Sequence, residues 1–457
     1  MYISRIEISG VKGFSGARSV DLDLTRPDGS YAGWTVLAGR NGSGKTSLLR
    51  ATAVGLGLAR PADLAGWSSA RNASVSVSLK LSGDEAGSLL GGREGIADPA
   101  QEPLFPGAPL LVASCTWKRV INRRSRAVHR RPSWTAAWHQ ASTAGAGGLR
   151  VDLPEPDSEI EELPPVIAVG AFRRLGHELG RGSGGGSSAV ESLFNEDATL
   201  TDGVGWLIEQ HHRKLTGDEQ AGRMLDAVLA LLGDGLLPDD YEVDRVDADG
   251  PWVVRSGRQF SLWELSDGFR SAVALVVHIL WKLATHPYGE PLTTSSVHGR
   301  VEVSAPGVVL IDEVDAHLHV SWQQRIGGWL KTRFPNVQFI VTTHSPYICQ
   351  AADPGGLVRL AGPDEEAAPE VVSEDLYRRV VYGSGDDAVL SELFGLESPY
   401  SDDAQASRRR IGDLEGRVLE GNATAAELAE YEALSQKLNS SLSARVDEVA
   451  ARLARSE

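Results

Sequence analysis

Eight consecutive residues, Gly39-Arg40-Asn41-Gly42-Ser43-Gly44-Lys45-Thr46, set three glycines, a lysine and a hydroxyl at the spacing of a phosphate cradle. Glycines let backbone N–H groups turn inward around phosphate oxygens, and a helix N-terminus just downstream adds partial positive charge. Lys45 can then reach the β- and γ-phosphates, and the Thr46 hydroxyl can ligate Mg²⁺. A glycine-rich turn that happens to hold a lysine is the bland alternative. Context tells against it: the apolar run Trp34-Thr35-Val36-Leu37-Ala38 reads as a strand before the loop, and Ser47-Leu48-Leu49-Arg50 opens a helix after it. Residues Gly39 to Ser47 are thus expected to bind a nucleoside triphosphate, ATP with Mg²⁺.

Hydrolysis needs acids as well as a cradle. The apolar run Val308-Val309-Leu310-Ile311 ends in Asp312-Glu313. At such a strand end Asp312 is expected to hold Mg²⁺ and Glu313 to polarise the attacking water. One helix and one strand later, Phe339-Ile340-Val341-Thr342-Thr343 ends in His344, which can hydrogen-bond the γ-phosphate or the water. The catalytic set read from sequence is therefore Lys45, Glu313 and His344, with Thr46 and Asp312 as metal ligands. An exposed acidic strand end and a structural histidine are the plainer readings of the last two elements.

A second anion site is suggested by Leu265-Ser266-Asp267-Gly268-Phe269-Arg270-Ser271 at the head of an apolar helix. A serine, a glycine and a helix N-terminus suit phosphate, although Ser-Asp-Gly is also a good helix cap. His317 and His319 invite a zinc reading, which fails because the spacing places no third or fourth ligand. They are expected to shape a loop instead, and His211-His212 to sit exposed at a helix end.

These residues need a scaffold. Val20, Leu22 and Leu24 alternate with Asp21 and Asp23, and Val75, Val77, Leu79 and Leu81 alternate with polar neighbours. Both runs predict half-buried antiparallel strands. Gly268 to Leu283 is apolar on all sides and predicts a buried helix. The strand at 308–312, a helix around Trp322 to Phe334 and a strand from Val337 to Thr343 alternate as in a parallel sheet with its chemistry at the carboxyl edge. Beyond about residue 375 the chain reads as helical; Gly421 can end one helix, and Thr424 with Glu427 makes a capping box for the next. Leu428, Tyr431, Leu434 and Leu438 then share one face.

The fold class expected is α/β: a P-loop ATPase head with a mixed or parallel sheet flanked by helices, an antiparallel β lobe and a C-terminal helical tail. The head spans 1–374, with an insertion at about 84–165 and a flexible glycine-serine loop at about 181–188; the helical region spans 375–457. No heptad repeat runs between the cradle and residue 265, so no long coiled-coil arm is expected.

With 42% hydrophobic and 23% charged residues the chain has a globular composition. Its longest apolar stretch, Ala272 to Leu280, is shorter than the about 20 residues of a membrane span. The N-terminus lacks a signal-peptide core, and two cysteines are too few for a disulfide framework. A cytoplasmic protein with no membrane contact is the expectation. A net charge of −16 argues against a protein that coats nucleic acid with its whole surface. Yet Lys118, Arg119, Arg123, Arg124, Arg126, Arg130 and Arg131 crowd one stretch flanked by Trp117 and Trp134. That patch could contact DNA or RNA phosphates, dock a partner, or be a solvated hairpin.

The order of these motifs resembles the standalone ABC-type AAA ATPases of the SMC–RecF-like group. The likeness rests on Ile6-Glu7-Ile8 leading to Gly13-Phe14, on Leu265-Ser266-Asp267-Gly268, and on Asp312-Glu313 followed by His317-Leu318-His319. Phe334-Pro335-Asn336-Val337-Gln338-Phe339-Ile340, Thr342-Thr343-His344-Ser345-Pro346 and Gly170-Ala171-Phe172-Arg173-Arg174 resemble the anti-phage ATPases of Septu type, including retron-associated forms. Asp267 and Phe269 depart from the commonest transporter form of the signature. The resemblance implies a homodimer, or a higher even oligomer, that sandwiches ATP. Ser266, Asp267, Gly268 and Arg270 would face the partner's nucleotide, and Asp315 would lie in the loop crossing the interface. It further implies a regulator of a separate effector, a nuclease with the HNH type among the candidates, since no nuclease domain is read here. Two other readings stay open: a RecF-like DNA repair ATPase acting on DNA directly, and a slow-turnover scaffold locked by nucleotide. The glutamine expected to complete the Mg²⁺ shell is unassigned, Gln101 and Gln140 being comparable candidates.

Overall fold

The computed structural model describes residues 1–26, 28–59, 64, 66–69, 72–81, 110–121, 128–139, 150–152, 165–173, 175, 191–286, 294–297, 300–396 and 398–438. The loop expected at 181–188 lies outside them, as do Gln101, Gln140, Arg123, Arg124 and Arg126.

The cradle sits on a six-stranded sheet. Its order is Glu370–Val371, Leu357–Arg359, Trp34–Ala38, Val337–Thr343, Gly307–Ile311, Val166–Val169. Every pairing from Leu357–Arg359 to Val166–Val169 is parallel, and only the short Glu370–Val371 edge runs antiparallel. Trp34–Ala38, Gly307–Ile311 and Val337–Thr343 are buried at every position, which explains their mainly apolar spelling. Parallel register brings the ends of three of these strands to one edge, placing the cradle, the acid pair and His344 together.

A second six-stranded sheet is wholly antiparallel and contains the two alternating runs, Val20–Asp23 and Ser74–Lys80, on either side of Tyr2–Ser9. Residues 84–108 of the expected insertion lie outside the described residues; three later strands of it are described. Leu110–Ile121, Val128–His139 and Arg150–Asp152 extend this sheet, with Leu111, Ala113, Cys115 and Trp117 buried on its inner face. Small and polar residues dilute the alternation there, so the period was hard to see. Beyond Trp117 the register sets Lys118 opposite Arg131 and Arg119 opposite Arg130.

The helix Lys45–Gly55 connects the two sheets. Leu48, Leu49 and Val54 join one core with Ile6, Val77 and Leu310, each buried Leu or Val stabilising by about 1.5–3 kcal/mol. A polar rivet crosses the same seam. The Gln338 amide accepts from Ile3 N at 2.7 Å and donates to Ile3 O at 3.1 Å, beside a register shift between Ile3 and Arg5.

The helices Thr201–Leu215 and Glu219–Gly233 form a hairpin, the second capped by the Asp218 carboxylate. A three-stranded sheet, Glu242–Asp247, Gly250–Arg255 and Arg258–Ser261, then feeds the buried helix Asp267–Thr285. That helix is the one described segment long and apolar enough to cross a membrane, and 61% of its apolar window is buried within the protein. The helix expected from Trp322 to Phe334 is in two pieces, Val320–Gln323 and Ile326–Arg333. Gln323 is occupied elsewhere, donating to Leu318 O and accepting from Ser345 Oγ.

The chain divides into compact units 1–388 and 389–457. Glu374–Tyr382, read from sequence as the start of the tail, falls in the first: Tyr377 is buried and its hydroxyl donates to Ala352 O at 2.9 Å. The second unit holds a helical hairpin, Asp402–Leu419 and Ala425–Lys437. Gly421 in the left-handed region and the Thr424–Glu427 capping box shape its turn, and Arg410 bridges to Glu430 with both carboxylate oxygens.

Candidate functional site

The loop from Gly39 to Gly44 leaves the buried strand Trp34–Ala38 and enters the helix at Lys45. Gly44 is the helix cap at φ +100°, and a Cβ there would stand 2.9 Å from the Phe14 ring. Only glycine fits, and no side chain obstructs the helix N-terminus. Arg40 and Asn41 are exposed, whereas Ser43 and Lys45 are buried. Arg18, which no motif marks, braces the loop from behind by donating to Gly362 O, Glu365 O, Ala361 O and Ser43 O.

Lys45 folds back over its own loop, donating to Gly39 O at 2.8 Å and Arg40 O at 3.1 Å. Burial pulls its ammonium down to about 8, against the pull of Glu313, Asp312 and Asp315. Thr46 donates to Asp312 Oδ1 at 3.0 Å, and Thr342 donates to the same oxygen at 2.6 Å. Thr342 also accepts from Glu313 N at 2.7 Å. Sequence reading missed Thr342 as a partner, because a threonine inside an apolar strand reads as filler.

The acid turn is strained. Glu313 has φ +45° and His317 φ +66°, a left-handed conformation that costs non-glycine residues about 1–3 kcal/mol each and needs support. Asp315, expected in the dimer loop, accepts from Thr343 Oγ1 at 2.5 Å. Beneath the turn lies Arg173, 3% exposed. Its guanidinium donates to the carbonyls of Asp312, Glu313, Val314 and Ala316 at 2.8–3.3 Å. Burial lowers it to about 10, partly offset by Asp315, Asp312 and Glu313, so it stays charged at neutral pH. In the sequence it stands only within the segment Gly170-Ala171-Phe172-Arg173-Arg174 that carries the family resemblance, with no role attached to it.

His344 stands at the end of Val337–Thr343. It is exposed, yet partial desolvation, then the Lys45 charge, holds the imidazole below its usual range, with Asp315, Glu313 and Asp312 opposing.

The signature turn approaches this group from the side of the acid turn. Ser266 caps Asp267–Thr285 through its backbone alone and leaves its hydroxyl uncommitted to the cap. Asp267 pairs with Arg270. Ser266, Gly268, Phe269, His317 and Trp322 line a cavity of about 590 Å³ whose walls include neither Lys45 nor Glu313. His319 caps the short helix Val320–Gln323 by accepting from Ser321 N. Lys118, Arg119, Arg130 and Arg131 belong to the antiparallel sheet, at the far end of the Leu110–Ile121 and Val128–His139 hairpin.

The residues present fit a nucleotide and a divalent cation. Gly44 leaves the helix N-terminus open, and the paired Thr46 and Asp312 oxygens are hard donors of the kind Mg²⁺ takes. Parallel sheet, glycine cradle, acid turn and signature helix together make the arrangement of a P-loop nucleotide-binding head, similar in its parts to those of ABC-type ATPases.

Residues 237–350 match the AAA_21 family, described as "AAA domain, putative AbiEii toxin, Type IV TA system". The chain is similar to the "Retron Ec83 probable ATPase" of Escherichia coli, 38% identical over 120 residues, which is 26% of this chain and 20% of the relative. It is also similar to the Septu protein PtuA of Bacillus mycoides, 25% identical over 377 residues, covering 80% of this chain and 41% of the relative. The chain thus spans one fifth to two fifths of the length of these curated relatives. Among solved structures, the SMC head bound to the C-winged helix domain of ScpA covers 81% of this chain and 98% of its own, at 16% identity and a TM-score of 0.44.

Proposed function

We propose that this protein binds and hydrolyses ATP, dimerises around it, and uses its nucleotide state to control a separate nuclease effector in bacterial anti-phage defence. The chemistry rests chiefly on one observation: Lys45, Thr46, Asp312, Glu313 and His344 converge at one sheet edge although 266 residues separate Thr46 from Asp312. The similarity to Septu and retron ATPases supports the biological setting.

In this reading the cradle amides and Lys45 bind the β- and γ-phosphates, and Lys45 exchanges its bonds to Gly39 O and Arg40 O for phosphate oxygens. Thr46 and Asp312 would hold Mg²⁺, which neutralises phosphate charge as it develops. Glu313 accepts a proton from the attacking water. His344, whose imidazole is held below its usual range, orients that water or the γ-phosphate through one ring nitrogen. Ser266 and Gly268 would complete the site of a second copy, since the cavity they line includes neither Lys45 nor Glu313.

Glu313→Gln tests the reading. Hydrolysis should fall by about 10²- to 10⁴-fold, while ATP-dependent dimers, followed by light scattering, persist. A protein that stays monomeric with ATP bound would defeat the sandwich. An unchanged hydrolysis rate would favour the nucleotide-locked scaffold.

A second reading, direct action on DNA as in RecF-like ATPases, draws support from the basic rungs Lys118–Arg131 and Arg119–Arg130. DNA-stimulated hydrolysis that disappears when Arg123, Arg124 and Arg126 become Glu would favour it.

A further inference from the structure

We propose that Arg173 is a positioning residue for hydrolysis: it sets the strained turn carrying Glu313 and ties that turn to the signature helix. The edge strand Val166–Val169 runs parallel to Gly307–Ile311, with Val169 beside Ile311. The two chains therefore emerge at the same sheet edge, where Asp312 N donates to Val169 O at 2.8 Å. Four residues after Val169, Arg173 turns inward beneath the acid turn.

An arginine so buried would ordinarily be matched by a carboxylate. Here the fork meets four main-chain carbonyls, those of Asp312, Glu313, Val314 and Ala316. These carbonyls fix the peptide planes on both sides of Glu313 and so stabilise its positive φ. Lysine cannot reproduce this, since one ammonium cannot span four acceptors that a planar guanidinium reaches together.

Arg173 also faces the other way. Its own carbonyl accepts from Ser271 Oγ at 3.2 Å, and Ser271 lies buried in the first turns of the signature helix. At the far end of the acid turn the helix makes a second contact: a Cβ on Gly268 would stand 2.5 Å from His317 O. The helix therefore grips the turn at both ends, through Ser271–Arg173 and Gly268–His317. On the proposed function, on which this inference rests, Ser266 at the tip of that helix meets the nucleotide of the second copy. A displacement there would reach Glu313 through Arg173, so that each head reports its neighbour's nucleotide to its own acid.

The test uses the full chain and three variants, Arg173→Lys, Ser271→Ala and Glu313→Gln, together with the Arg173→Lys/Glu313→Gln double variant. Arg173→Lys should lower kcat by about 10- to 100-fold, as misplacing a reacting group does. The dissociation constant for ATP should stay within about threefold, because the loss is confined to the transition state. Ser271→Ala keeps every charge and should lower kcat several-fold with the same split, which decides the matter if Arg173→Lys does not fold. The double variant should hydrolyse at the residual rate of Glu313→Gln, since Arg173 acts through that acid.

Wild-type kcat in Arg173→Lys or Ser271→Ala, ATP affinity falling as far as kcat, or full additivity in the double variant would each overturn the inference. If Glu313→Gln is inactive while Arg173→Lys turns over normally, only this inference fails. If Glu313→Gln itself hydrolyses at the wild-type rate, the reading of the site fails first and the inference with it.

Discussion

Thr46 and Asp312 lie 266 residues apart in the chain, yet the threonine hydroxyl donates to the aspartate carboxylate at 3.0 Å. Each is the other's partner at the point where a divalent cation would need both oxygens. Replacing Asp312 with Ala should therefore weaken binding of ATP in the presence of Mg²⁺ by at least about tenfold, the lower bound for loss of even an outer-sphere partner. Binding of ATP in EDTA should change far less. Titration of a fluorescent ATP analogue with and without Mg²⁺ makes the comparison; equal losses in both would show that Asp312 supports the loop and not the ion.

Lys45 gives a pH signature. Burial holds its ammonium near 8, and a bound polyanion must raise it. ATP binding should then take up a proton, increasingly so as pH rises above about 8. The sign follows: the free site loses its proton first, so affinity is full below pH 8 and falls by up to about tenfold per unit above it. Calorimetry in buffers of different ionisation enthalpy counts the proton directly. Lys45→Arg, which stays charged throughout, should remove the slope. A flat wild-type profile between pH 7 and 9.5 would mean that Lys45 is already protonated across that range.

What the sequence disclosed and what it hid divide along one physical line. The cradle, the acid pair, the strand before His344 and the helix at Asp267–Thr285 are each written in contiguous residues, as a motif or a mainly apolar run. Arg173, Thr342, Arg18 and Gln338 work across the fold instead; Arg173 meets Glu313 over a separation of 140 residues, and Gln338 meets Ile3 over 335. No local period announces such a partner. The strands at 110–121 and 128–139 were obscured differently, because serine, alanine and a cluster of basic residues blur the alternation that buried Trp117 and Cys115 obey.

Gln338 makes the case in energy. It is fully buried and is the polar link between Ile3 of the antiparallel sheet and the central sheet. Gln338→Leu keeps the volume and removes the amide, leaving the N–H and C=O of Ile3 without these bonds in the core. The expected loss is about 2–4 kcal/mol, since an unsatisfied buried group costs about 1–3 kcal/mol. Urea denaturation followed by tryptophan fluorescence measures it. A change below about 0.5 kcal/mol, the range of ordinary surface substitutions, would remove the amide from any account of how the two sheets are held together.

Ser266 and Lys45 provide the test of the two-copy site. The cavity at Ser266 does not include Lys45, so a composite site would draw the two residues from different chains. Lys45→Ala and Ser266→Arg should each abolish hydrolysis when pure. Mixed in equal amounts, half of the dimers carry one variant of each kind. In those dimers one site is doubly damaged, while the other joins an intact Lys45 to an intact Ser266. The mixture should recover up to about a quarter of the wild-type rate, half the dimers with one of two sites working. A mixture no more active than either variant alone would show that Ser266 serves its own chain, or serves no nucleotide.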